Sequence, residues 1–183
     1  MKTKLIIVNG QGGVGKGEFV KFIKEYDQSF IGHDRILQTS IIDRVKFIAS
    51  MCGWTGVKEL KDRAFLHDLK ILLEKYNDLP YNTITQLIKR NENTTLNDYP
   101  VYPYIFIDVR EPADIERFKK DFPDCTTILV KRGESKLFGN EADDSVFNFQ
   151  YDYVIDNNRS LEDLQAAAQA FWDEIIQRDM TFS

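Results

Sequence analysis

The sequence predicts a three-layer α/β fold in which helices cover both faces of a mostly parallel, five-stranded sheet. Short β-branched runs alternate with amphipathic helical patterns, each run is apolar throughout, and a glycine-rich loop follows the first run. Strands that are apolar on both sides must be buried on both sides, which is typical of parallel sheets. The 183 residues suit a single domain, since domains usually contain ~100–200 residues.

The N-terminal part of the chain is predicted to form two strands with one helix between them. Residues 4–8 form a β-branched run that ends in Asn9-Gly10, a pair typical of a turn. A helix is predicted at residues 15–26, where Phe19, Phe22 and Ile23 share one face. A second strand follows at residues 35–39.

Apolar residues then recur at helical spacing from residue 40 to residue 91. Gly53, Gly56 and residues 77–80 interrupt this pattern and divide it into three helices. This stretch is longer than an ordinary crossover between two strands. We therefore predict a helical insertion at residues 40–100 within a single domain spanning residues 1–183.

The remaining elements complete the alternation. Strands are predicted at residues 104–108, 126–131 and 151–155, and helices from about residue 111 and at residues 161–176. A polar, lid-like loop is predicted at residues 132–145.

Composition excludes several classes of partner. The chain has 24 basic and 29 acidic residues and a net charge of −5, so it has no broad positive surface for nucleic acid. Its first apolar run, residues 5–8, is too short for a membrane span or a signal sequence. The two cysteines, Cys52 and Cys125, lie far apart in the sequence and show no C-x-x-C spacing, which favours reduced thiols over a disulfide or a zinc site. We expect a cytoplasmic protein without a nucleic-acid or membrane partner; its association as a homodimer stays open.

The glycine-rich loop carries the main functional signal. It matches G-x-x-x-x-G-K, the phosphate-binding P-loop, between a predicted strand and a predicted helix. Its backbone N–H groups and the helix dipole attract phosphate, and a lysine adds a positive charge. The predicted nucleotide-binding residues are Gly10, Gln11, Gly12, Gly13, Val14, Gly15, Lys16 and Gly17.

Two other interpretations of this loop stay open. Gly10, Gly12 and Gly15 also fit G-x-G-x-x-G, the dinucleotide-binding pattern. That pattern requires an acidic residue at the end of the second strand, where this chain has Gln38, Thr39 and Ser40. A purely structural glycine turn is the other alternative.

The candidate metal ligand is Asp108, at the end of the third predicted strand. In a parallel sheet this residue reaches the same edge as the P-loop, where it can hold Mg²⁺ directly or through water. The P-loop itself has Gly17 where a serine or threonine hydroxyl would contact Mg²⁺. Arg110, two residues after Asp108, is a candidate either for contact with an acceptor phosphate or for pairing with a carboxylate.

These motifs together resemble the deoxynucleoside monophosphate kinases of phage and bacteria. The resemblance rests on the GKG ending of the P-loop, on Asp108-Val109-Arg110-Glu111 and on the segment from Ser40 to Lys46. A more distant similarity is to animal-type phosphomevalonate kinases, which share this P-loop variant.

The resemblance implies transfer of the γ-phosphoryl group of ATP, with Mg²⁺, to a small phosphorylated acceptor such as a deoxynucleoside monophosphate. It implies that the helical insertion holds the acceptor through Asp43 and Arg63, together with Arg110. It further implies that Lys16, Asp108, Arg110 and Arg132 form the catalytic set, with Arg132 in the lid-like loop.

Two alternatives to a kinase remain at this level. One is an ATPase, and the other is a nucleotide-binding regulatory protein, which the missing hydroxyl at Gly17 favours. The guanine-recognition motif N-K-x-D of switch GTPases does not occur in the sequence.

Overall fold

A computed structural model describes residues 2–57, 59–93, 102–133 and 145–181 of the chain. They belong to two compact units. Lys2–Gln38 and Tyr102–Ser183 form one unit, which contains most of the sheet, and Thr39–Val101 form the other, which is mainly helical. Residues 134–144, most of the predicted lid-like loop, lie outside the described residues.

Five strands form one sheet, as the sequence predicts. They are β1 (Lys4–Asn9), β2 (Ile36–Ser40), β3 (Tyr104–Asp108), β4 (Thr126–Lys131) and β5 (Tyr153–Asp156), in the order β2-β3-β1-β4-β5. The β1–β3, β1–β4 and β4–β5 pairs are parallel. This confirms the predicted three-layer α/β fold with a helical insertion after β2, and the strand order is consistent with a P-loop NTPase-like fold.

Six α-helices occur in the described part of the chain. They are α1 (Lys16–Ile31), α2 (Asp43–Met51), α3 (Leu60–Asn77), α4 (Leu79–Asn93), α5 (Pro112–Asp121) and α6 (Leu161–Thr181). A short 3-10 turn covers Ser145–Asn148. No helix among these residues is both long enough and apolar enough to cross a membrane.

Helices α1 and α6 extend five residues beyond their predicted ends, because a weaker apolar pattern does not by itself stop a helix. The last turn of α1 continues to Gly32, which adopts a left-handed conformation and donates its N–H to the Gln28 carbonyl. This is a common way for a helix to end. The N-terminus of α6 is capped reciprocally: the Ser160 N–H donates to the Asp163 carboxylate, and the Asp163 N–H donates to the Ser160 hydroxyl oxygen.

The three predicted helices of the insertion appear as α2, α3 and α4 in the helical unit. Gly53 and Gly56 lie between α2 and α3, both with a positive φ. Asp78 ends α3 in a left-handed conformation, and its N–H bonds to the Glu74 carbonyl.

Helices lie on opposite sides of the sheet because of the strand order. The chain leaves β1 toward one edge to reach β2, and leaves β3 toward the other edge to reach β4. Right-handed crossovers then place α1 and α5 on opposite faces. Ile6 and Val8 of β1 pack in one core cluster with Phe19 of α1 and Phe171 of α6. Leu5 and Ile7, which point the other way, are also buried.

Strand β1 is thus the buried centre of the sheet, with β3 and β4 as its neighbours. The chain turns to opposite sides after β1 and β3, which leaves a crevice at the carboxyl ends of these strands. Val8 pairs with Asp108 in the β1–β3 ladder. The residues that follow β1 and β3 therefore lie side by side at this crevice.

A buried carboxylate joins α1, the start of β2 and α6. Asp27 is 4% exposed and accepts hydrogen bonds from Arg35 Nε at 3.1 Å and from Trp172 Nε1 at 3.0 Å. A second Arg35 nitrogen pairs with the same carboxylate. The carboxylate satisfies two buried or half-buried donors that would otherwise lose water without compensation.

We expect Asp27→Ala to lower the free energy of unfolding by about 3 kcal/mol, because breaking a buried pair leaves its partner charge uncompensated. Urea denaturation measures the change. The matched control is Asp124→Asn, which breaks the exposed pair with Lys2 and should leave the midpoint almost unchanged. Equal effects of the two substitutions would contradict the assignment of Asp27 as a structural anchor.

Candidate phosphate-binding site

The loop between β1 and α1 requires glycine at two positions. At Gly10, φ is +145° and an added Cβ would lie 2.2 Å from the Val130 carbonyl oxygen of β4. At Gly15, φ is +99° and an added Cβ would lie 2.5 Å from Asn157 Nδ2. Both ends of the loop are therefore held against neighbouring segments too closely for any side chain.

Two buried asparagines fix the loop from opposite ends. Asn9 Oδ1 accepts the Gly10 N–H at 2.7 Å, and Asn157 Nδ2 donates to the Val14 carbonyl at 2.8 Å. Asn157 is itself anchored, because its N–H bonds to the Lys131 carbonyl at the end of β4. The loop conformation thus depends on side chains outside the glycine motif.

Helix α1 begins at Lys16, immediately after the loop. The first N–H groups of a helix have no partner within the helix, and the helix dipole adds about half a positive charge at this end. Together with the loop N–H groups they form an anion site of the kind that binds phosphate.

Lys16 lies across the loop. Its Nζ donates to the carbonyls of Gly10 at 2.6 Å and Gln11 at 3.1 Å, and the side chain is only 10% exposed. The same nitrogen lies 4.0 Å from Asp108 Oδ2. The structure therefore brings together the two residues to which the sequence analysis gave the main chemical roles.

Asp108 ends β3, and its Oδ1 is buried. It lines a cavity of about 390 Å³ with residues 13–18 of the loop and helix and with Gln38 of β2. The lining side chains that contain oxygen are Glu18, Gln38 and Asp108. Glu18 pairs with Lys21 at 2.8 Å on the exposed side of α1. We call the cavity lined by Asp108 the first cavity.

Carboxylate and amide oxygens are suitable ligands for Mg²⁺, which usually keeps several waters and takes only one or two carboxylates from a protein. Among the described residues no group of three or more His, Cys, Asp and Glu side chains could hold a metal ion by itself. The donor set of the first cavity therefore fits a Mg²⁺ ion that is held partly by phosphate and water.

Gly17 lies in the first turn of α1 and lines the first cavity. An added Cβ would meet nothing within 4 Å, and φ is not positive. The backbone therefore leaves room for the side chain that this sequence lacks.

A second cavity of about 250 Å³ lies on the other side of the loop. Val14 lines both cavities, so they are neighbours across the P-loop. The second cavity is lined by the buried Gln11, the exposed Arg132 and half-exposed Phe147, with Gly133 beside them. The Gly133 N–H donates to Asn158 Oδ1, which ties this edge to the segment after β5.

The other predicted site residues occupy different positions. Arg110 follows Asp108 and is partly exposed, and its carbonyl accepts a hydrogen bond from Asn9. Asp43 and Arg63 belong to the helical unit. Asp43 accepts the Ser40 N–H at 2.7 Å and pairs with Lys46 at 3.1 Å, while Arg63 is exposed in the first turn of α3.

Four contributors to the site are not predicted from the sequence: Asn9, Gln38, Phe147 and Asn157. Only Asn9 gave a signal, since an amide at the end of an apolar strand is unusual, and it was interpreted as part of a turn. It is instead the last residue of β1 and is fully buried.

Comparison with known proteins gives a likeness of fold. The chain matches no protein-family model, and no curated protein matches it significantly. The crystal structure of TT1252 from Thermus thermophilus aligns with a TM-score of 0.54 and 14% identity over 95% of this chain and 98% of that one. A sugar kinase from Janibacter sp. aligns with a TM-score of 0.49 and 13% identity over 93% and 95% of the two chains.

We expect Gly15→Ala to lower the free energy of unfolding by about 1–3 kcal/mol, because the new Cβ meets Asn157 in a backbone conformation that favours glycine. Gly12→Ala is the matched control, since its Cβ would enter open space without a positive φ. Denaturant unfolding of both variants measures the difference. A Gly15 variant as stable as the Gly12 variant would contradict the close packing of the loop against Asn157.

Proposed function

We propose that this protein is a kinase that transfers the γ-phosphoryl group of ATP to a small phosphorylated acceptor, with a (deoxy)nucleoside monophosphate as the substrate class. The observation that carries the proposal is the placement of Lys16 Nζ 4.0 Å from Asp108 Oδ2, beside a fixed glycine loop and a cavity. Phosphoryl transfer depends mainly on positioning and on neutralising charge, and this arrangement supplies both.

Lys16 would exchange its present partners for phosphate oxygens. Its ammonium group now bonds to two neutral carbonyls of the loop. A bond to an ionised phosphate is stronger than a bond to a neutral carbonyl. The loop N–H groups and Lys16 would thus hold the outer phosphates of ATP over the start of α1.

Asp108 is the residue that would hold Mg²⁺, directly or through water. Gln38 lines the same cavity and offers an amide oxygen from the middle of the neighbouring strand β2. When bound, Mg²⁺ would supply positive charge that offsets the charge of the phosphates.

The second cavity is the proposed position of the donor base. It adjoins the first cavity at Val14, so a base and a phosphate chain can lie on the two sides of one loop residue. Phe147 offers a partly exposed ring and Arg132 a guanidinium, both of which stack on aromatic bases.

The acceptor site is assigned to Arg110 and to two residues of the helical unit. Arg110 follows the Mg²⁺ residue and is partly exposed, as a phosphate-binding side chain must be. We assign Asp43 and Arg63 to acceptor binding from the family resemblance, with Arg63 as the bidentate phosphate partner. An acceptor phosphate is already ionised at neutral pH, so transfer to it needs no general base.

A second candidate function is nucleotide binding without transfer. Gly17 favours it, because the P-loop lacks the hydroxyl that usually contacts Mg²⁺. An ATPase that needs no acceptor would use the same cavity.

The deciding experiment is incubation of the protein with ATP and Mg²⁺, alone and with each of a panel of nucleoside monophosphates. ADP formation that depends on an acceptor, with a matching nucleoside diphosphate, supports the kinase. ADP formation without an acceptor indicates an ATPase, and nucleotide binding without turnover indicates the regulatory protein.

We expect Lys16→Met to lower kcat/KM by about 10²–10³-fold, the usual effect of removing one group that stabilises transition-state charge. The circular dichroism spectrum should be unchanged. The control is Lys24→Met, which removes a lysine of the same helix that pairs with Asp34. Full activity of the Lys16 variant would refute the P-loop assignment.

We expect Gly17→Ser to reduce the Mg²⁺ concentration for half-maximal activity about three- to tenfold relative to Gly17→Ala, because one added polar contact contributes ~1 kcal/mol. Both side chains enter the same open space, so the pair differs only by the hydroxyl. Titration of activity against Mg²⁺ measures the effect. Identical titration curves would show that the hydroxyl has no access to the metal.

A further inference from the structure

Asn9 occupies an unusual position for a polar side chain. It is the last residue of the central strand and is 0% exposed. A buried amide destabilises a fold unless its donors and acceptor are all satisfied. An apolar residue would fill the same place without that requirement, so the partners of Asn9 indicate what the amide does.

The amide connects three separate segments. Its Oδ1 accepts the Gly10 N–H at 2.7 Å, at the start of the P-loop. Its Nδ2 donates to the Arg110 carbonyl at 2.9 Å and to the Tyr151 hydroxyl at 2.6 Å. The Tyr151 hydroxyl in turn donates to the Val146 carbonyl at 2.7 Å, in the 3-10 turn.

The direction of every bond in this set is fixed by chemistry. A backbone N–H can only donate and a carbonyl can only accept, so the amide has one possible orientation. The Tyr151 hydroxyl donates its single proton to the Val146 carbonyl, and it therefore accepts the hydrogen bond from Asn9 Nδ2. Burial raises the pKa of Tyr151 to about 12, which keeps this proton in place at neutral pH.

The ladder between β1 and β3 aligns the two strands but ends at the pair of Val8 and Asp108. Val8 pairs with Asp108, and the Val109 N–H reaches the Val8 carbonyl at 3.3 Å. Gly10 and Arg110 lie beyond these pairs. The Asn9 side chain joins them, because it accepts the Gly10 N–H and donates to the Arg110 carbonyl.

We propose that Asn9, supported by Tyr151, is a positioning residue that sets the spacing between the phosphate-binding loop and the turn that carries Arg110. This inference rests on the proposed function, in which the loop holds the donor phosphates and Arg110 faces the acceptor phosphate. The two phosphates must meet in line, and a displacement of about 1 Å can slow transfer about 100-fold.

The test is Asn9→Asp, which keeps the shape and the acceptor for Gly10 but loses both N–H donors when ionised. We expect kcat to fall about 10- to 100-fold, while the dissociation constant for ATP, measured by calorimetry, stays within about threefold, since the new side chain still accepts the Gly10 N–H that holds the phosphate-binding loop. Tyr151→Phe removes only the support that the Tyr151 hydroxyl gives to Asn9, and it should lower kcat by a smaller factor.

The pH profile separates positioning from general loss of stability. A buried aspartate has a raised pKa, and its protonated form regains one O–H donor. The kcat of Asn9→Asp, divided by that of the unsubstituted protein at the same pH, should therefore rise as the pH falls from about 8 to about 5.5. Circular dichroism at each pH measures the folded fraction: a ratio that rises while the folded fraction stays constant supports positioning, and a ratio that only follows the folded fraction would overturn it.

Thr127→Val provides the matched control. Thr127 is also fully buried in the sheet, and its N–H and hydroxyl both bond to Asp152 at 2.8 Å, away from the P-loop. This variant should lose thermal stability and keep its kcat.

Each outcome has a definite meaning. An unchanged kcat in Asn9→Asp, or in Tyr151→Phe if Asn9→Asp does not fold, would overturn the inference while the kinase assignment stands. A fall in kcat of the same size in Thr127→Val would also overturn it. Absence of acceptor-dependent transfer by the unsubstituted protein would overturn the proposed function, and the inference with it.

Discussion

The parallel pairing of Val8 with Asp108 is the constraint on which the rest of the site depends. Because β1 is the central strand and is buried on both faces, its register with β3 cannot shift without exposing the core. The register places the start of the glycine loop and the Asp108 carboxylate at one edge of the sheet. Lys16 can then reach both the loop carbonyls and Asp108 from the first residue of α1.

The parts of the molecule that could be predicted from sequence are those with local causes. The apolar run of residues 104–107, its terminal Asp108 and the glycine loop each carry their information within a few adjacent residues. The contacts that hold the loop are different in kind: Asn9 bonds to a residue 101 positions away, and Asn157 to one 143 positions away. One sequence contains no signal for such pairs, because they exist only once the sheet has formed. The ends of α1 and α6 were not predicted either. The last turn of α1 is closed by Gly32, and the last turns of α6 contact the sheet through Asp179, which pairs with Lys4 and accepts the Tyr104 hydroxyl.

The net charge of −5 does not conflict with a site for anions. The loop and the start of α1 attract phosphate through backbone dipoles, which contribute no formal charge to this count. Lys16 adds one cation, and its small exposure keeps that charge from being screened by solvent. Most of the acidic residues therefore have little influence on the short-range field inside the first cavity.

The contact between Gly15 and Asn157 has a consequence for how this sequence can change. A methyl group at residue 15 would occupy the space of the Asn157 amide, and that amide also holds the Val14 carbonyl. Substitutions at residues in contact are not additive. A smaller residue at position 157 would remove the close contact, but a side chain at position 15 would still be strained by the positive φ, and the loss of the amide already weakens the loop. The two positions therefore form an epistatic pair, because a change at position 157 alters the cost of a substitution at position 15.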